Sequence, residues 1–276
     1  MTTKHTYKQQ YFNIMTKVIS ISNNKGGVGK TTTTINLAAA LHKFGLRVLI
    51  IDIDGQANLS ESVGLNLQGK NTIYNALRGD CELPVYNSEI GIDIVPANED
   101  LPTINNQLIN EPGRELILTD LIKKVKNKYD FILIDCGPEI TLLTINALTA
   151  SNSVIIPVQA EYFAMRSMAK LFKIIQKVRL RMNKKLKIEG ILITQYDNHK
   201  RLNKGVSEQI RESTNEKVFD THIRNNIYLA ESQSYGMDIF SYKPEAIGAK
   251  DYECFAKEIF PSDMEISKPK SSKVVK

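Results

Sequence analysis

The segment KGGVGKTTTT, Lys25 to Thr34, sits between an apolar run and a helical one, and few folds accept such a junction. Before it, Val18 to Ser22 reads as a buried strand; after it, INLAAALHKFG reads as a helix that stops at Gly45. Gly26, Gly27 and Gly29 escape the collisions a Cβ would impose. Successive N–H groups around Val28 can therefore converge on an anion at the positive end of the helix, where Thr32 also lies. Lys30 has the reach to meet the β- and γ-phosphates of a bound ATP, and the Thr31 hydroxyl is placed to ligate Mg²⁺. A glycine turn with only a structural task requires neither residue.

Five further apolar runs follow: Val48 to Ile53, Ile92 to Val95, Phe131 to Ile134, Val154 to Val158 and Ile191 to Thr194. Helical stretches separate them. Leu118, Leu121, Ile122 and Val125 obey the i, i+3, i+4, i+7 rule, as do Met168, Leu171, Phe172 and Ile175. Alternating strand and helix predicts an α/β fold, a single domain with a mostly parallel twisted sheet and helices on both faces, and the phosphate loop after its first strand makes that a P-loop NTPase fold. Ligands are then expected at the carboxyl ends of the strands. The expected organisation is an N-terminal extension over 1–15, an ATPase domain over 16–260 and a flexible basic tail over 261–276, with Met15 an alternative start to Met1.

Two of these strands end in acids. IIDIDGQANLS puts Asp52 and Asp54 on one face of a strand at the ligand-binding edge. YDFILIDCGP has four apolar residues followed by Asp135, the Walker B pattern, and predicts that Asp135 holds a magnesium-bound water. A strand-terminal aspartate elsewhere is often just a helix cap, but this one follows a phosphate loop.

The chain's 42% hydrophobic and 24% charged residues, with no long uncharged run, support neither disorder nor a membrane span. Cys81, Cys136 and Cys254 lack the spacing of a metal or redox clip and suit a reducing compartment, so the cytoplasm is expected. The formal net charge of +6 is compatible with a polyanion partner without requiring one.

Lys25 departs from the common phosphate-loop pattern, and Asn24 stands where that pattern has glycine. KGGVGKT resembles the deviant Walker A box of the ParA/Soj and MinD class of ATPases. LLTINALTASNSVIIPVQAEYFAMRSMAKL and IRNNIYLAESQSYGMDIFSYKPEAIGAKDY are similar to stretches of ParA/Soj proteins, so the resemblance spans about residues 16 to 260. It implies that Lys25 reaches across a homodimer to the partner's nucleotide, where a second cation helps neutralise the transferring phosphoryl group. It implies that Asp54 orients or activates the attacking water and contributes to the metal site, with Asp52 supporting the magnesium from behind. The family's DPQGN is DGQAN here, and losing the proline predicts a more flexible loop. Arg224 and Asn226 are implied on the base side, with Arg224 standing where many relatives carry proline.

The family further implies slow ATP hydrolysis stimulated by a centromere-bound ParB-like partner, non-specific DNA binding by the ATP dimer, and association with the nucleoid. The short segment before the first strand is not expected to hold a helix-turn-helix domain, so operator binding is not expected. Candidate DNA contacts are Lys200, Arg201 and Lys204, with His199, in NHKRLNK, and Arg179, Arg181, Lys184, Lys185 and Lys187 in VRLRMNKKLK. Each run also reads as a solvated helix face. The alternative is a MinD-like ATPase that cycles on membranes; the tail's dispersed Met264, Ile266, Val274 and Val275 predict no stable membrane anchor.

Overall fold

The structure, a computed structural model, describes residues 16–161 and 164–260. The expected extension over 1–15, the tail over 261–276 and the choice between Met1 and Met15 lie outside the described residues. Eight strands form one sheet: β1 (Lys17–Ile21), β2 (Val48–Ile53), β3 (Tyr86–Asn87), β4 (Asp93–Val95), β5 (Phe131–Cys136), β6 (Ser153–Gln159), β7 (Lys187–Tyr196) and β8 (Val218–Arg224). Their order is β3-β4-β2-β5-β1-β6-β7-β8, and every pairing is parallel except the short antiparallel edge between β3 and β4. The expected α/β sheet is thus present, with two strands more than the apolar runs marked.

Strand alternation sends successive side chains to opposite faces. Ile50 and Leu133 pack with the helices Lys30–Lys43 and Ile247–Ile259. Their neighbours Leu49, Ile51, Ile132 and Ile134 pack instead with Leu118 and Ile122 of helix Ile117–Val125 and Leu143 and Ala147 of helix Leu142–Ala150. Beyond β1, Val154, Ile156, Ile191 and Ile193 meet Met168, Leu171 and Ile175 of helix Ala164–Arg181 and Val206 and Ile210 of helix Arg201–Ser213. The central strands β2 and β5 are buried throughout because both faces are covered.

The helix Lys30–Lys43 opens on four consecutive threonines, a β-branched run of modest helix propensity. Tertiary burial supplies what propensity does not: Ile35, Leu37 and Leu41 are fully buried, at about 1.5–3 kcal/mol each. The buried hydroxyls are also satisfied, Thr34 Oγ1 donating to the Lys30 carbonyl at 3.0 Å and Thr33 Oγ1 lying 3.2 Å from the Tyr252 hydroxyl. This anchored helix aims its N-terminus at the carboxyl edge of the sheet.

Candidate nucleotide site

The glycine loop leaves β1 and enters that helix with Gly27 at φ 72° and Gly29, the N-cap, at φ 82°, conformations that L side chains rarely adopt. Gly29 offers no capping side chain, so the first-turn N–H groups point outward unspent, which is what an anion site requires. Lys30 folds back over the loop, its Nζ donating to the Lys25 carbonyl at 3.1 Å. Burial lowers the Lys30 pKa, and the charges of Asp135 and Asp54 oppose that shift.

Parallel pairing of β2 with β5 sets Asp52 beside Asp135, and pairing of β5 with β1 sets Asp135 beside Ile21. Thr31 Oγ1 donates to Asp135 Oδ2 at 2.7 Å and Thr34 Oγ1 to Oδ1 at 3.3 Å. Burial lifts the Asp135 carboxyl to about 8, the nearby Asp52 charge adding to the rise against the Thr31 bond and Lys30. Asp52, wholly buried and raised by that burial to about 6, receives the Asp54 N–H at 3.0 Å, the Ser60 N–H at 2.9 Å and the Ser60 hydroxyl at 2.7 Å. Its oxygens are thus bonded to the loop that carries Asp54. Ser60 Oγ in turn accepts the Ala97 N–H at 2.9 Å and ties the same loop to the segment after β4.

The loop from Asp54 to Asn58 is tightly held. Ala57 takes φ 53°, which costs an L residue about 1–2 kcal/mol. A Cβ placed on Gly55 would collide with Pro102 Cγ and lie 2.9 Å from its Cδ. Where the family's loop carries its proline this chain has Gly55, and the ring of Pro102 packs against it from outside.

Two adjoining cavities mark the groove. One, of about 400 Å³, is lined by Gly26, Gly27, Lys30, Thr31 and Asp54, with Thr32, Gly29, Gln195 and Gln233 on its wall. The other, of about 580 Å³, shares those last four residues and reaches Ile223, Arg224, Asn226, Leu229 and Tyr252. The first has the polarity of a phosphate site and the second the mixed lining of a base site. Arg224 lies here with its guanidinium held in an ion pair to the buried Asp251, Nε 3.0 Å from Oδ2, and its side chain is committed to that acid. Asn226 caps helix Ile227–Ser234 by accepting the Tyr228 N–H at 2.9 Å.

Lys25 sits at the rim, its Nζ 2.5 Å from Glu161 Oε2 and 3.1 Å from Gln159 Oε1. The end of β7 supplies a connection the sequence reading missed: Gln195, at φ 50°, donates through Nε2 to the Gly27 carbonyl at 2.6 Å and accepts from Gln159 Nε2. Thr194 Oγ1 donates to the Val28 carbonyl at 2.8 Å. The position of ILITQ at the end of an apolar strand was the available signal, because such ends share the ligand edge.

Lys200, Arg201, Lys204 and His199 stand exposed around the start of helix Arg201–Ser213, none of them lining the groove, with Lys200 Nζ 3.7 Å from Asp197 Oδ2. Arg179, Arg181, Lys184, Lys185 and Lys187 lie at the far end of helix Ala164–Arg181, in the turn after it and at the start of β7, Arg179 Nε donating to the Leu186 carbonyl at 2.8 Å.

Known proteins share both sequence and fold with this chain. A family model described as an AAA domain matches residues 16–188. The chromosome-partitioning ATPase Soj of Treponema pallidum is 40% identical over 256 residues, covering 90% of this chain and 99% of its own length. The chromosome partitioning protein ParA of Caulobacter vibrioides is 36% identical over 251 residues, 88% of this chain and 93% of its own. Cobyrinic acid a,c-diamide synthase from Mycobacterium smegmatis, solved with bound ADP and magnesium, superposes with a TM-score of 0.79 at 31% identity, covering 88% of this chain and 93% of that one. Identity of this size along nearly the whole chain reflects common descent, and the chain belongs to the ParA/Soj family of P-loop ATPases.

Proposed function

We propose that the protein is an ATP-dependent dimerising ATPase for plasmid or chromosome partitioning, binding DNA non-specifically in the ATP state and released when a ParB-like partner stimulates hydrolysis. The observation that carries this reading is the convergence of one unspent helix N-terminus, Lys30, Thr31 and Asp54 on a single groove, with Asp135 buried behind Thr31 and bonded to it and Lys25 beside the loop. In this reading ATP binds with its phosphates at residues 25–32 and its base toward Arg224 and Asn226, where Asn226 and backbone groups serve better than the committed Arg224 guanidinium.

The cluster fits Mg²⁺. The Thr31 hydroxyl and the Asp135 carboxylate stand 2.7 Å apart beside the phosphate loop, with Asp54 on the groove wall, and such oxygen donors are the kind that this ion takes. Thr31 and Asp135 would hold the ion, Asp135 and Asp54 partly through water; once bound, it would neutralise charge developing on the phosphates. Asp54 positions the attacking water, while Lys30 and the partner protomer's Lys25 clamp the phosphoryl group from two sides. To do so Lys25 exchanges Glu161 for phosphate, which couples hydrolysis to dimer state. The protein works on the nucleoid in the cytoplasm.

The decisive test is duplex DNA binding by purified protein with ATP, with ADP and without nucleotide. Binding confined to the ATP state supports the reading, and pelleting with anionic vesicles in its place would transfer it to a MinD-like membrane cycle. Asp54→Ala is expected to keep ATP-dependent dimers while losing turnover, and Lys25→Ala to lose the dimer; normal hydrolysis by Asp54→Ala removes that residue from its role.

A further inference from the structure

Helix Ala164–Arg181 contains Arg166, Lys170, Lys173, Lys177, Arg179 and Arg181 and no acidic residue. The whole chain has 36 lysines and arginines against 30 acids, so its net charge of +6 equals that of this one helix and the rest of the chain balances. Helix Arg201–Ser213, which holds Arg201 and Lys204 of the first run of expected DNA contacts, mixes three cations with Glu208 and Glu212, while Arg179 and Arg181 of the second run belong to helix Ala164–Arg181.

The placement of the charges is as uneven as their number. Arg166, Lys170, Lys173, Lys177 and Arg181 follow one another at steps of four, three, four and four residues, and all five are exposed. At 3.6 residues per turn they occupy about 80° of arc along roughly 22 Å of helix. The opposite side, Met168, Leu171, Ile175 and Val178, is sealed into the core against β6 and β7. Among the described residues no carboxylate pairs with any of the five cations. Five unpaired like charges on one face repel one another, a cost that a partner's anions would remove.

We propose that this face is the principal DNA-contacting surface, seating the phosphate backbone of a duplex along Arg166, Lys170, Lys173, Lys177 and Arg181. The inference rests on the partition-ATPase reading and moves its DNA contact away from Lys200, Arg201 and Lys204. A duplex fits because it presents phosphates about every 3.4 Å along each strand, so a stripe of about 22 Å spans roughly six base-pair steps. Lipid is the poorer occupant. A helix that lies in a bilayer needs a free apolar face, and the apolar face here is already spent on the core. Since no base-reading geometry is involved, binding along the stripe is indifferent to sequence.

The test compares the full chain with the triple variant Lys170→Gln, Lys173→Gln, Lys177→Gln and with Lys200→Gln, Arg201→Gln, Lys204→Gln, using anisotropy of a labelled random-sequence duplex with ATP at a series of salt concentrations. The 170/173/177 variant is expected to lose at least about tenfold in affinity and to flatten the slope of log K against log salt by about 2 to 3 per protomer. ATP-dependent dimerisation and ATP turnover measured without DNA stay as in the unmodified protein, which shows that the fold is intact. Unchanged DNA affinity in that variant, or a larger loss in the 200/201/204 variant, overturns the assignment while leaving the partition reading in place. Failure of the unmodified protein to bind DNA in any nucleotide state overturns both, and retention on anionic vesicles instead assigns the stripe to a membrane surface.

Discussion

Asp135 occupies a position where charge is hard to keep, enclosed with Asp52 and Asp54 and held near 8 mainly by burial. The sign of the consequence is fixed. A carboxyl raised from 3.8 to about 8 binds more protons folded than unfolded, so the protein without nucleotide loses stability as pH rises through that interval. Asp135→Asn removes the penalty and is expected to melt at a higher temperature than the unmodified protein near the upper end of the interval, with the gap closing toward its lower end. The same variant should gain little from added ATP and Mg²⁺, because the group that would hold the ion is gone. Thermal melts across pH, with and without Mg-ATP, check both statements; a gap independent of pH would remove the titration of Asp135 from the account. Lys30, Thr31 and Asp135 were legible from sequence because the motif fixes both residue type and local backbone. Gln195 and Glu161 were not, since their contacts with the loop at Gly27 and Lys25 join residues 168 and 136 positions apart.

Among the elements, the loop after β2 shows how a substitution can be answered from elsewhere in the fold. Gly55 leaves a space, and the ring of Pro102, in the 3₁₀ turn Leu101–Thr103, fills it. Gly55→Ala is therefore expected to destabilise by about 1–3 kcal/mol through overpacking and to lower kcat more than it raises KM for ATP, because the displaced loop carries Asp54. Adding Pro102→Ala removes the two nearest ring atoms and should restore most of the turnover; no recovery in the double variant would show that Pro102 does not brace the loop. Six strands were legible as apolar runs for the reason that both faces of a parallel sheet are covered. β3 is only two residues long, and β8 interleaves Asp220, Thr221 and His222 with its buried Phe219 and Ile223, so neither reads as a continuous apolar run. The helix Lys30–Lys43 was legible from its flanking glycines despite its threonines, whose fitness for that turn comes from partners in β5 and helix Ile247–Ile259.

For the molecule as a whole, the sheet places its chemistry and its charge in different regions. The nucleotide groove lies at the carboxyl ends of β1, β2, β5 and β7, whereas the basic stripe lies on the outer side of the layer covering β6 and β7. Helix Ala164–Arg181 joins the two, since it starts just after Gln159 and Glu161, the residues that hold Lys25. That continuity was not legible from the sequence, where VRLRMNKKLK stood out as a short run and the earlier cations of the same face were diluted by the apolar residues between them. With five exposed cations gathered on one helix face, a polyanion should turn the protein helix-first before any contact forms. A cation-exchange resin would act as such a polyanion: the protein should elute later than one of equal net charge spread evenly, and the 170/173/177 glutamine variant should lose much more retention than the 200/201/204 one.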